Sequence, residues 1–83
     1  MAEELIGRVT HYFDRLGVAV IKLEKGQLKA GDSLKFRHAD KEFDQVVGSL
    51  EVDRQAVEKI KAGEEAGLKV SEPVKEGWLV YRV

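Results

Sequence analysis

The stretch "EKGQLKAGDSLKF", Glu24 to Phe36, decides how the chain is read. It carries two glycines five apart, Gly26 and Gly31, with Lys29 between them and Asp32 directly after the second. Either it grips a phosphate or it turns the chain between two strands. A phosphate-binding loop needs a lysine and a hydroxyl directly after its last glycine, and it must open a helix whose N-terminus faces the anion. Here Asp32 occupies the lysine's place, where its carboxylate would repel a phosphate. The next residues, Ser33 to His38, alternate polar and apolar in the manner of a strand, with Lys35 and Arg37 on one face and Leu34 and Phe36 on the other. The stretch is therefore expected to be a tight connection. Gly26 and Gly31 take the special backbone conformations, Leu28 turns inward, and Lys25 and Lys29 stay in water. No nucleotide is expected to bind.

The same alternation, interrupted by turn signals, extends along most of the chain. Leu5 to Phe13, Val18 to Leu23, Ser33 to His38, Ala66 to Val70 and Trp78 to Val83 are expected strands. Lys41 to Val52 reads as one long strand whose apolar residues change face, which calls for a bulge or bend between Asp44 and Gly48. Asp53 to Gly63 is the one expected helix. Asp53 would cap its start, Ala56, Val57 and Ile60 would share its buried face, Lys59 and Lys61 would lie near its C-terminal end, and Gly63 would terminate it. Both faces of Trp78 to Val83 are apolar, so alternation does not decide which points inward.

With 83 residues the chain is long enough for one domain, 1–83, and too short for two. A chain of this size buries roughly 60% of its unfolded surface, which allows one small core and argues against a deep substrate cavity. Charged residues make up 35% and hydrophobic residues 43%, in keeping with a globular domain. The absence of cysteine excludes disulfides, thiolate metal sites and thiol catalysis, and it fits a cytoplasmic location. No apolar run approaches a membrane span, and the N-terminus lacks the pattern of a secretory signal. The formal charge of −1 gives no bulk attraction to nucleic acid, which leaves only a local basic face for such a contact.

Chemistry-bearing residues are sparse. His11 and His38 are the only histidines, too few for a zinc centre, and no metal or other cofactor is expected. None of Ser33, Ser49 and Ser71 lies in a nucleophile elbow. The carboxylate pairs Glu3–Glu4 and Glu64–Glu65 fall at the terminus and in a loop, away from any cleft that would shift a pKa. The chain is expected not to be an enzyme. Tyr12, Trp78 and Tyr81 could stack on bases, although large aromatics in so small a domain usually fill the core.

The order "IGRVTHYF", "GVAVIKLEKGQLKAGDSLKF", "GSLEVD", "IKAGEEAGLKV" resembles the second domain of translational GTPases of the elongation factor Tu and initiation factor type. The matching positions are Gly7 and Val9, then Gly26, Leu28, Lys29, Gly31 and Asp32, then Ala62, Gly63, Gly67 and Leu68. The resemblance implies an all-β fold, a closed six-stranded antiparallel barrel, completed here by the one short helix. It also implies a binding module that contacts RNA or the ribosome. For that role Lys35 and Arg37, with Lys22 and Arg8 from neighbouring strands, are the candidate RNA-binding residues. The alternative is a protein–protein interaction module that docks on or regulates a partner enzyme.

Overall fold

The computed structural model describes residues 3–83. Ten strands succeed one another: β1 (Glu4–Phe13), β2 (Val18–Leu23), β3 (Gln27–Lys29), β4 (Ser33–His38), β5 (Lys41–Val46), β6 (Leu50–Val52), β7 (Gln55–Val57), β8 (Lys59–Lys61), β9 (Glu65–Lys69) and β10 (Leu79–Arg82). Eight of them form one sheet in the order β5-β4-β10-β1-β2-β9-β6-β7, and β3 pairs with β8 in a separate ribbon. All the described pairings are antiparallel.

Two expectations are corrected. The fold is all-β, but the segment expected to be helical, Asp53 to Gly63, forms β7 and β8 instead, and no helix occurs among the described residues. Val52 pairs with Gln55, so Asp53 and Arg54 are the two residues of a tight hairpin turn, with φ of 52° and 65°. That backbone is the left-handed one required by two-residue hairpins, and it is incompatible with a helix start. The second correction is that the main sheet has eight strands and does not close into a six-stranded barrel. Its outermost strands, β5 and β7, do not pair with each other.

Curvature comes from β1 and from a corner. The register of β1 slips by one residue between Leu5 and Gly7 against β10, and again between Val9 and His11 against β2. Each slip bends the strand. Ile6, the extra residue of the first bulge, and Val9, just before the second, are both buried. The β2–β9 pair then bends and continues as the β3–β8 ribbon. Across the corner Gly63 N–H donates to Leu23 O, Leu23 N–H to Glu64 O and Ala62 N–H to Gly26 O. The inward faces of sheet and ribbon meet in one core, where Leu28 and Ile60 of the ribbon join Ile21, Leu23, Leu34 and Phe36. No polar or charged residue is buried among the described residues.

The glycine-bearing stretch between β3 and β4 is a turn. Lys29 O accepts from Asp32 N–H at 3.1 Å, and Asp32 Oδ2 accepts from Lys29 N–H at 3.0 Å. Gly31 sits at φ 96°, where a side chain would be strained. The Asp32 carboxylate is thus part of the turn itself, and the chain continues into β4 rather than into a helix. The bend expected between Asp44 and Gly48 is a break after Val46, which lets Val47 turn inward to 2% exposure while Val46 stays 59% exposed.

Candidate functional site

The four basic residues singled out in the sequence fall on one face of the sheet. Cross-strand partners side by side run Glu42, Arg37, Leu79, Arg8, Lys22 and Glu65, from β5 across to β9. Directly opposed residues project to the same side, so this is a single row on the outer face. Lys35 stands in the neighbouring row with Asp44, Tyr81 and Leu5.

Most of that charge is neutralised internally. Lys35 Nζ donates to Glu3 Oε2 at 2.5 Å, and Arg37 donates to Glu3 Oε1 at 3.0 Å and to Glu42 Oε2 at 2.9 Å. Arg8 lies 3.5 Å from Glu24. The Lys35 ammonium holds the Glu3 carboxyl below its usual range, with Arg37 adding to the effect, although partial burial opposes it. In return the Glu3 carboxylate raises Lys35, and Glu42 foremost raises Arg37. The Arg37 guanidinium also sits 5.0 Å from the centre of the Tyr81 ring, which accounts for an aromatic residue on this outward face. The outer face around Tyr81 and Leu79 is therefore largely a tied-down ionic network, and of the four predicted basic residues Lys22 is the one that lacks an ion pair among the described residues.

A concave feature lies at one end of the sheet. It is a groove of about 930 Å³. Tyr12, His38, Phe43, Pro73 and Trp78 give it an apolar, aromatic interior. The β4–β5 turn forms one wall and the segment 72–75 the other. The floor is a run of stacked rings. Phe36 and Phe43 lie 5.0 Å apart and nearly parallel, Trp78 is tilted against Phe43 at 6.2 Å, and His38 stacks on Trp78 at 5.5 Å. Trp78 thus points inward and is 8% exposed, which settles the direction that alternation left open. Asp14, Asp40, Glu42 and Glu72 stand on the rim with Lys41 and Lys75. Sequence reading names Tyr12, His38 and Trp78 singly, and nothing in their spacing shows that the sheet brings them together.

Catalytic constellations do not assemble. Among the described residues no three His, Cys, Asp or Glu side chains converge as metal ligands. His38 stacks on Trp78, whereas His11 lies beside Phe13 and 3.9 Å from Glu76. The carboxylate pairs are separately engaged. Glu3 holds the cations described above, Glu64 accepts from Lys61 N–H at 2.8 Å, and Glu65 accepts from Thr10 Oγ1 at 3.0 Å. No helix among the described residues is long and apolar enough to cross a membrane.

Comparison with known proteins places this fold. It is shared with the C-terminal domain of a Geobacillus thermoleovorans protein assigned as a U32 peptidase. One crystal structure of that domain superposes with a TM-score of 0.86 at 20% identity, over 93% of this chain and 96% of the other. A second gives 0.88 at 18% identity, over 96% and 92%. In sequence the chain is 36% identical over 77 residues, 92% of its length, to an uncharacterized protease of Methanocaldococcus jannaschii. It is 32% identical over 78 residues, 93% of its length, to a collagenase of Porphyromonas gingivalis. The chain spans about a fifth of these curated relatives, 19% and 22% respectively. No protein-family profile matches it. The resemblance to the second domain of translational GTPases is thereby corrected, and with it the expected RNA and ribosome role. The relatives carry protease and collagenase names, and the matching solved fold is the C-terminal domain of the Geobacillus protein assigned as a U32 peptidase.

Proposed function

We propose that the chain is a non-catalytic docking module that works with a peptidase-type polypeptide, and that the aromatic groove at the end of the sheet receives a segment of that partner. The observation that carries this is one of proportion. The similarity covers over nine-tenths of this chain but only about a fifth of the protease- and collagenase-named relatives. The unit therefore recurs beside a much larger remainder, in which the peptidase chemistry would lie. The groove supports the same reading. A well-formed apolar pocket with a few polar groups is the default binding-site candidate of a domain, and aromatic side chains are favoured anchors at protein interfaces.

The test is reconstitution. The chain is mixed with the Methanocaldococcus jannaschii protein from which the segment matching it has been deleted. A stoichiometric complex on gel filtration at about 10 μM is the expected result, because a specific interface of ordinary size binds in the micromolar range or better. Tyr12→Ser and Lys75→Glu, on the groove's lining and rim, should weaken it without unfolding the chain. Failure to form the complex, or a complex indifferent to both substitutions, overturns the proposal.

A further inference from the structure

We infer that the outward face of the β3–β8 ribbon is a second contact surface, built to receive an acidic stretch of polypeptide. The register places Lys29 opposite Lys59 and Gln27 opposite Lys61. Leu28 and Ile60, at 0% and 2% exposure, are fixed in the core. Because strand side chains alternate, burying these two forces all four flanking residues outward, and all four are exposed. Lys25, at the corner leading into β3, is exposed as well.

Directly opposed like charges destabilise a sheet. Some cations elsewhere are neutralised, as with Arg8 and Glu24, Arg82 and Asp32, and the Glu3 network, while others such as Lys22 and Lys69 also lack an ion pair among the described residues. Among the described residues Lys25, Lys29, Lys59 and Lys61 form no ion pair. Three nearby carboxylates are used otherwise, Glu24 beside Arg8, Asp32 on Lys29 N–H and Glu64 on Lys61 N–H, and Glu58, next to Lys59 in the chain, forms no ion pair among the described residues. A chain of net charge −1 thus gathers unneutralised positive charge on one small ribbon.

The ribbon's dimensions favour carboxylates on a polypeptide. Lys59 and Lys61 are separated by about 7 Å along the strand, the repeat at which an extended peptide presents every second side chain. No aromatic residue lies in β3 or β8 to stack a base, and single-stranded nucleic acid sites combine charge with such stacking. The ribbon stands at the opposite end of the sheet from the groove, since β4 runs from the turn at Asp32 to His38 in the groove wall. The inference rests on the reading of the chain as a docking module but uses a different surface.

The test is a titration of the isotope-labelled chain, followed residue by residue by NMR, with a short synthetic peptide of alternating glutamate and threonine at low salt. A short oligothymidylate serves as the competing class. Shifts confined to Gln27–Lys29 and Lys59–Lys61 are expected, with about a tenfold loss of affinity in a Lys29→Glu, Lys59→Glu variant. Arg15→Glu with Lys69→Glu makes the same change in net charge elsewhere, at two exposed positions outside both groove and ribbon, and should leave peptide affinity within about twofold. Lys59→Glu alone should raise the melting temperature while lowering affinity, because it turns a repulsive cross-strand pair into an attractive one. Shifts spread over all lysines, an equal loss in the control variant, absence of binding, or tighter binding of the oligothymidylate would each overturn the inference. Tyr12→Ser separates this surface from the groove: it should weaken the complex with the peptidase-type polypeptide and leave peptide binding unchanged. If that complex never forms while the peptide still binds the ribbon, only the groove proposal fails.

Discussion

The side-chain amide of Gln45 stands in for a strand pairing. Its Oε1 accepts from the backbone N–H of Ser71 at 2.7 Å, and its Nε2 donates to the carbonyl of Lys69. Gln45 lies on β5, an edge of the main sheet, and Lys69 and Ser71 lie at the end of β9 and just beyond it. One amide therefore links two strands that share no backbone ladder. It also anchors the start of the segment whose residues 72–75 form a wall of the groove. Gln45→Ala removes both bonds and should cost about 1–2 kcal/mol in denaturant unfolding, the sum of two ordinary hydrogen bonds at a half-exposed site. The Ser71 amide should exchange faster with solvent in the variant. Unchanged stability together with unchanged exchange would show that the link does not hold the wall.

The Glu3 network predicts a pH dependence. The folded-state pKa of Glu3 is depressed, chiefly by Lys35. A depressed carboxyl stabilises the fold fully above its unfolded value, about 4.3, and that contribution is lost as pH falls through the lower folded value. The Lys35 pKa is raised, chiefly by Glu3, so its contribution is complete below about 10.4 and disappears as pH rises beyond the folded value. Melting temperatures of wild type and Glu3→Gln should accordingly differ across neutral pH and converge at both extremes. A difference that persists at about pH 2, well below the unfolded carboxyl value, would mean that Glu3 acts through packing instead.

Gly7 sits where β1 bulges, and a Cβ built there would lie 2.3 Å from the carbonyl oxygen of Lys22 on β2. The obstacle is backbone, which cannot rotate away as a side chain can. Gly7→Ala should destabilise by about 3 kcal/mol, at the upper end of the cost of overpacking. Gly67→Ala, whose Cβ would meet only the Val18 Cγ1 at 3.2 Å, should cost clearly less. Equal effects at the two positions would refute the backbone contact.

Legibility in the sequence tracked the constraints on each segment. The bounds of β2 and β4 are readable to the residue, because each is a short apolar or alternating run closed by turn residues. Sheet closure is not readable, since an eight-stranded curved sheet and a closed barrel share the same alternation. Both tyrosines and Trp78 are visible as aromatic residues. Their sidedness depends on Arg37 lying over Tyr81, a contact between strands far apart in the chain that local pattern does not contain. Lys59 and Lys61 read as charges ending a helix, so their alignment with Lys29 stays hidden until the helix is replaced by β8.

That replacement yields the sharpest prediction. In "VDRQAV" and the residues after it, the spacing of Val57 and Ile60 suits a helical face, and Asp53 suits a cap. The same two apolar residues are also compatible with separate strands broken at Glu58, and the turn residues decide. Asp53 and Arg54 both adopt positive φ, with neither glycine nor asparagine present to make that backbone easy. A non-glycine residue in this region carries roughly 1 kcal/mol of strain, more for Arg54 than for Asp53, whose short polar side chain tolerates it better. Tertiary pairing of Leu50 with Val57 and of Glu51 with both Ala56 and Gly67 outweighs that cost. Arg54→Gly supplies the aspartate–glycine pair that two-residue hairpin turns prefer, so it should stabilise the fold by about 1 kcal/mol. Arg54→Pro cannot adopt positive φ and should destabilise by more than that. The two variants separate the alternatives, because a helix would be weakened by glycine at this position. If Arg54→Gly lowers the melting temperature, the hairpin assignment of Leu50–Val57 is wrong.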